Sequence, residues 1–387
     1  MSESLANRAA AEASAGFSVG GDAVAPSVTR ALAGTGPEAS VVLLFPSGIE
    51  PELAVAQARS VAGGVPVVGM TGNGSIGAEA ASTPGCSALA LGGGWDVGIG
   101  CFRGAGRSVR RAARYATAEA LRGCGAGSPS PLLILMVDTR SGDQAEALAG
   151  AYAAAGPSVP IVGGASGGGA PAQLSGRSAH TDSVLAVAVR GKRSPGIGVA
   201  HGCRRVGPTL IATRTGGRFL QEIDGRPAYD VYLEVLGLEA HSISKEEFAV
   251  ITATHPLAQP ELSGGSRIRH ILGRGPKGSL ECATPIPESA AIEFTRQRPA
   301  DVVDAARRAM GKAVEGLGAA PRAALVFDCA GRKRSIAGAL DAEVAALVER
   351  FEGAPPPLAG VFSHGELARS NGSKGDKNHA VVVAALA

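Results

Sequence analysis

One cysteine, three histidines and a few acids and guanidinium groups carry most of the chemistry this chain could do. Cys329 stands just beyond the apolar run 324–327, after Asp328, and three residues before Arg332. A nearby cation lowers a thiol's pKa and favours the nucleophilic thiolate. His364 and Glu366 follow a second apolar run, 358–362, and an imidazole that titrates near neutrality beside a carboxylate could move protons. Cys329, His364 and Glu366 are therefore the catalytic candidates if the chain is an enzyme. The alternative is a small side chain packed at a turn and a histidine making one buried hydrogen bond. Arg332, Arg269 and Arg296 are candidate forks for a carboxylate or phosphate, because a planar guanidinium grips such groups at two points. Asp224 and Glu366 could partner an amine. His201, His364 and His379 fall at or near the ends of strand-like runs, and Asn378 adds an amide beside His379. A metal would need His and carboxylate residues grouped more tightly, so none is expected.

Two glycine-rich loops complete the candidate set. Gly72-Asn73-Gly74-Ser75-Ile76-Gly77 spells Gly-x-Gly-x-x-Gly after a strand, but the helix a dinucleotide needs is missing, since 78–85 is short and holds Pro84. Gly164-Ala165-Ser166-Gly167-Gly168 spells the Gly-x-Ser-x-Gly of a hydrolase elbow, yet Gly169, Pro171 and Gly176 again break the helix that should follow. The first reads as a tight turn, and the second as a loop whose glycines let backbone N–H groups turn toward a pocket that could hold a carboxylate or another anion. Gly163, Gly164 and Ser166 are the loop candidates for ligand contact, and no cofactor is expected.

The elements that position these residues are written three times. The first copy has an apolar strand at 41–45, a turn at 46–48, a helix at 51–62, a strand at 65–69, the loop 70–77 and a strand at 87–91. The second runs 132–137, 138–140, 143–155, 160–163, 164–169 and 184–189 in the same order, and the third 324–327, 328–332, 341–351, 358–362, a loop from 363 and 379–386. A helix between two strands lets them lie parallel through a right-handed crossover. Continuous apolar runs, rather than alternation, predict strands covered on both faces. The texture changes near Gly191-Lys192-Arg193-Ser194-Pro195, a turn-rich boundary. Beyond it come short strand-like pieces at 198–201, 210–214 and 248–254, with a helix at 227–236. The expectation is a two-domain α/β chain of internally repeated strand-helix-strand-strand modules with mixed sheets. Residues 1–16 form a flexible N-terminus, 17–191 hold two modules, and 192–387 hold the third.

Composition narrows the function classes. Hydrophobic residues make up 45% of the 387, but aromatic residues only 4%, which disfavours a base-stacking platform. A formal charge of +3 from 37 basic and 34 acidic residues gives no field to draw in a nucleic-acid backbone. The densest basic cluster, Arg107 with Arg110, Arg111 and Arg114, reads as a solvated helix face. The six cysteines lie far apart with no Cys-x-x-Cys pair, fitting neither a zinc site nor a disulfide framework. Residues 1–15 lack the apolar core of a signal peptide, and no run is long enough to span a bilayer. No membrane association is expected, and the expected location is cytoplasmic.

The segment Val199-Ala200-His201-Gly202-Cys203-Arg204-Arg205-Val206-Gly207-Pro208 resembles the start of a FIST C domain. So do Glu222-Ile223-Asp224-Gly225-Arg226-Pro227-Ala228 with Tyr232, the spaced Arg269, Gly273, Gly278 and Arg296, the run Phe327-Asp328-Cys329-Ala330-Gly331-Arg332, and Gly360-Val361-Phe362-Ser363-His364-Gly365-Glu366. In the first half, Gly69-Met70-Thr71-Gly72 and Gly163-Gly164-Ala165-Ser166 resemble the paired signatures of a FIST N domain. The chain departs at Ala380, where the family usually has Thr, and at Ser75, where Glu is often found. The resemblance covers the chain after about residue 16 and implies a bacterial intracellular sensory module that binds a small molecule, amino-acid-like or carboxylated. The other reading is a cofactor-independent transferase, lyase or hydrolase on the same scaffold, placed in a biosynthetic pathway. With no kinase, cyclase or receiver segment in the sequence, a signal is expected to leave through a separate partner protein. Cys329, Arg332, His364, Glu366 and Asn378 are expected to converge, because the turns after neighbouring parallel strands open on one edge.

Overall fold

The computed structural model describes residues 12–35, 38–239, 243–261, 265–336, 338–369 and 375–387. The first module runs β1 (Ala13–Val19), α1 (Val24–Thr35), β2 (Val41–Ser47), α2 (Pro51–Val61), β3 (Val67–Met70), β4 (Ser75–Gly77), β5 (Ala81–Ser82) and β6 (Gly85–Leu91). The second repeats the order with β7 (Asp96–Arg103), α3 (Val109–Cys124), β8 (Leu132–Asp138), α4 (Gln144–Ala155), β9 (Ile161–Ser166), β10 (Gln173–Ser175), β11 (Ser178–His180) and β12 (Ser183–Arg190).

The third opens with β13 (Gly196–Ala200) and is then interrupted. The interruption comprises β14 (Cys203–Gly216), β15 (Phe219–Ile223), β16 (Arg226–Pro227), α5 (Ala228–Val235), α6 (Lys245–Thr254), β17 (Leu257–Pro260), β18 (Ser266–Arg269), β19 (Ile271–Arg274), β20 (Leu280–Cys282) and β21 (Ala291–Gln297). The module resumes with α7 (Pro299–Leu317), β22 (Ala323–Cys329), α8 (Ala330–Ser335), α9 (Leu340–Val348), β23 (Leu358–Ser363), β24 (Glu366–Arg369), β25 (Asp376–Lys377) and β26 (Val381–Leu386).

Each module has one parallel pair, β2 with β3, β8 with β9 and β22 with β23, flanked by an antiparallel returning strand, β6, β12 or β26. The register repeats too: Leu44 faces Gly69, Leu135 faces Gly163 and Val326 faces Gly360. A Cβ on any of these three glycines would overlap the carbonyl oxygen of its partner, so the same close approach is built three times.

The modules also exchange strands in a closed cycle. β10 of the second pairs with β3 of the first, β24 of the third with β9 of the second, and β4 of the first with β23 of the third. Alternate side chains explain the core. Leu43 and Phe45, Ile134 and Met136, and Leu325 and Phe327 meet in one central cluster, where the Phe45 and Phe327 rings stand edge-on at 5.8 Å. The residues between them, among them Leu44, Leu135 and Val326, face three separate helix-lined clusters. Each large apolar side chain so buried contributes roughly 1.5–3 kcal/mol.

Some sequence expectations are corrected here. Residues 13–16 are not a flexible tail: β1 pairs along its whole length with β6, while 1–11 lie outside the described residues. Residues 248–254 are helical, not a strand, because Ser244 and Glu247 form a capping box that starts α6 and places Phe248, Thr252 and Ala253 on its buried side. The turn expected at 328–332 runs directly into α8. Residues 203–297 form their own antiparallel sheet over a core that includes Tyr232, Phe248 and Phe294, inserted between β13 and α7. No described helix is long and apolar enough to cross a membrane.

Candidate functional site

Parallel pairing of β22 and β23 sets Cys329 beside Ser363. The chain then folds back into β24, whose first residue, Glu366, is fully buried. Its carboxylate accepts from the Ser363 hydroxyl at 3.2 Å and from the Ala380 N–H at 3.3 Å, and it comes within hydrogen-bonding reach of the Cys329 thiol. Burial, reinforced by the neighbouring Asp328, pushes the Glu366 pKa well up. Burial and then the Glu366 carboxylate push the Cys329 thiol up, against the opposing pull of the Gly331, His379 and Arg332 N–H groups. Thiol and carboxyl are both biased toward their protonated, uncharged forms.

Behind this pair lies a histidine relay. Gln297 donates through Nε2 to the His201 carbonyl at 2.7 Å, so its Oε1 faces His379 Nδ1, at 2.9 Å. That contact places the His379 proton on Nδ1 and leaves Nε2 to accept from His270 Nδ1, at 2.7 Å. His270 Nε2 is then unprotonated and has no partner among the described residues. Burial drives both rings toward neutrality, His270 to about 4 and His379 well below its ordinary value. The outer end of the relay faces the charge of Arg334 and the His364 ring, which desolvation and Arg334 hold toward its neutral form.

The exposed patch around His364, the mouth, draws on all three modules. His364, which is exposed, contacts the Asn73 side chain of the first module. Its carbonyl accepts from Gln144 of the second module at 2.7 Å. Lys333 donates to the Asn73 carbonyl at 2.5 Å and the Thr83 hydroxyl at 2.9 Å, and lies 5.5 Å above the Phe362 ring. Burial lowers the Lys333 pKa. Neither Lys333 nor Arg334 makes an ion pair among the described residues.

The other sequence candidates have different placements. Arg332 points inward, with its side chain at 0% exposure, donating to Asp328 at 2.7 Å, the His201 carbonyl at 3.0 Å, the Val302 carbonyl at 3.2 Å and Glu343. Arg269 is buried on Asp376 (3.1 Å), Thr284 (3.0 Å) and Gln259 (2.6 Å). Asn378 accepts from Thr284 and the His270 N–H, fastening the inserted sheet to the third module. Both side chains are thus engaged internally, which is where sequence alone would not place a ligand fork and an amide. Asp224 is exposed at a turn of that sheet with φ 48, accepting from the Ile211 N–H at 2.8 Å. Arg296 is exposed on β21. Gly163 lies under the Leu135 carbonyl, and Gly164 pairs with Glu366, where a Cβ would press on Ser363. Ser166 is buried with an unpartnered hydroxyl.

Sequence reasoning passed over His270, Lys333, Asn73 and Gln297. Their signals were slight: Lys333 adjoins Arg332, and Asn73 lies inside the first glycine loop. Among the described residues no three His, Cys, Asp or Glu side chains group to hold a metal, and all six cysteines are free thiols.

Comparison with known proteins places these observations. The FIST N domain model matches residues 40–226 and the FIST C domain model residues 228–369. An uncharacterized protein of Mycobacterium bovis is 30% identical over 224 residues, covering 54% of this chain and 56% of that one. An uncharacterized protein of Mycobacterium tuberculosis is 29% identical over 220 residues, with the same coverage of 54% and 56%. The chain spans about half the length of the curated relatives it matches. A cyanuric acid hydrolase from A. caulinodans aligns over 97% of this chain and 100% of its own at 11% identity, with a TM-score of 0.33, too low to carry an argument.

Proposed function

The chain belongs to the FIST family of ligand-binding, sensory domains, and on that premise we propose that it is a cytoplasmic sensor of a carboxylated, amino-acid-like molecule. One observation carries the reading: two cations, Lys333 and Arg334, stand at the mouth beside His364 without a carboxylate partner among the described residues. A half-buried ammonium held only by neutral oxygens gains from an incoming anion. The lone pair on His270 Nε2 offers the complementary acceptor for an ammonium, and His364 and Asn73 supply neutral hydrogen-bonding groups. The signal passes to a separate partner protein.

The test is a thermal-shift and calorimetry panel of amino acids and other carboxylic acids on the full chain, with mass spectrometry of what co-purifies. Lys333→Ala and Arg334→Ala each remove one charge-assisted contact, so affinity for the selected ligand drops by about 1.5–3 kcal/mol, or roughly ten- to a hundred-fold. Affinity unchanged in both variants sinks this site.

A second reading, a cofactor-independent transferase, lyase or hydrolase in a biosynthetic pathway, is favoured by the contact of the Cys329 thiol with the Glu366 carboxyl behind the mouth. Under that reading a metabolite pool incubated with the chain loses one component, and Cys329→Ser abolishes the loss. A sensor leaves the pool intact.

A further inference from the structure

A second recess opens where β13 ends, β14 begins and α7 passes beside them, enclosing about 350 Å³. Its charged lining is three cations, Arg204, Arg308 and Lys312, and one carboxylate, Asp301. α7 places Arg308 and Lys312 one turn apart on the recess, and Arg204 faces them from β14. The one carboxylate in the wall, Asp301, is already held by two guanidinium groups, Arg204 at 2.5 Å and Arg298 at 2.8 Å. Arg308 leans on Asp304, whereas Lys312 makes no ion pair among the described residues.

His201 completes the lining. Its Nδ1 accepts the Cys203 N–H at 3.0 Å, so the neutral ring carries its proton on Nε2, which has no partner among the described residues. Burial, with the charges of Arg332, Arg308, Lys377 and Lys312, keeps the ring in that neutral state, its pKa lowered to about 4.

We propose that this recess is a second binding site, distinct from the mouth at His364, and that it takes the phosphoryl group of a small metabolite. Arg204 and Arg308 each have a face engaged by a carboxylate, so the recess lacks the free planar fork that suits a carboxylate ligand. What remains is an ammonium, an imidazole N–H and the outer guanidinium N–H groups approaching from different sides, a set that suits a tetrahedral oxyanion. The volume lies at the small end of ligand pockets and suits a phosphate on a short carbon frame rather than a dinucleotide.

The test titrates inorganic phosphate and glycerol 3-phosphate into the full chain at fixed ionic strength, read by calorimetry and by the imidazole resonances of histidine-labelled protein. The expected result is saturable binding that shifts the His201 signal and weakens roughly ten-fold or more in Lys312→Ala and in Arg308→Ala. Both positions are exposed, and unchanged melting curves confirm the variants are folded. Tighter binding of the ester assigns the site to a phosphorylated metabolite, and equal binding assigns it to free phosphate. Absence of saturable binding to the unmodified chain, or binding undiminished in both variants, overturns the proposal.

Discussion

Replacing Arg332 by methionine tests whether this guanidinium belongs to the fold or to a ligand. In the structure its side chain is wholly buried and spans Asp328 at 2.7 Å, the carbonyls of His201 and Val302 at 3.0 and 3.2 Å, and Glu343. Methionine fills much of the volume but strands two carboxyl groups, each only 1% exposed, and leaves two carbonyls short of a donor. Removing one partner of a buried ion pair costs about 3–5 kcal/mol. Protonation of a stranded carboxyl relieves part of that cost, so the loss is smaller in mild acid than above neutrality. Against a total stability on the order of 5–15 kcal/mol, this is a large fraction. Urea unfolding of wild type and Arg332→Met, followed by circular dichroism and by the fluorescence of Trp95, the chain's one tryptophan, reads the shift in midpoint. Trp95 belongs to the same central cluster as Leu325 and Phe327, so its signal bears on the shared core. A variant that unfolds at the wild-type midpoint yet loses ligand affinity would refute the argument and restore Arg332 as a ligand fork.

The remaining predictions concern protons. Burial, reinforced by the charge of Asp328, raises the Glu343 pKa from 4.5 to about 8. The native state therefore binds more protons than the unfolded chain between those values, so this group's stabilising contribution is full below the unfolded pKa and is lost as pH rises through about 8. Urea midpoints should fall between about pH 5 and about pH 8.5, and Glu343→Gln should flatten that slope; a slope undiminished in the variant would place its cause elsewhere. Cys329, buried and with its thiol pKa pushed up, should resist iodoacetamide in the native chain and label readily after unfolding in urea, as located by peptide mass spectrometry. Rapid native labelling would show an accessible thiolate and favour the enzymatic reading.

Much of the scaffold was legible in the sequence, because short-range patterns control it. The continuous apolar runs at 41–45, 132–137 and 324–327 are β2, β8 and β22, each followed by a helix and a parallel partner. Period and turn chemistry suffice for that, since a buried parallel strand must be apolar on both faces. The same order predicts that Cys329, Arg332, His364, Glu366 and Asn378 converge; Cys329 does reach Glu366, whereas Arg332 points into the core and Asn378 fastens the inserted sheet. The strand exchange was not legible. β4, β10 and β24 are three or four residues long, and each pairs with a strand of another module, a choice made by the closing of three sheets around one core rather than by local propensity.

The fate of the charged candidates was decided at the same level. Arg332 and Lys333 are neighbours in sequence with nearly the same chemistry, yet one is locked between Asp328 and Glu343 and the other stands at the mouth. His270 reaches His379 only because the inserted sheet docks through Asn378 and Asp376. Sequence determined which side chains could carry charge or a proton and roughly which strand ends would present them. Tertiary packing decided which of those charges are neutralised from within and which keep no internal counter-ion among the described residues, because a buried charge takes the counter-ion that long-range contacts bring to it.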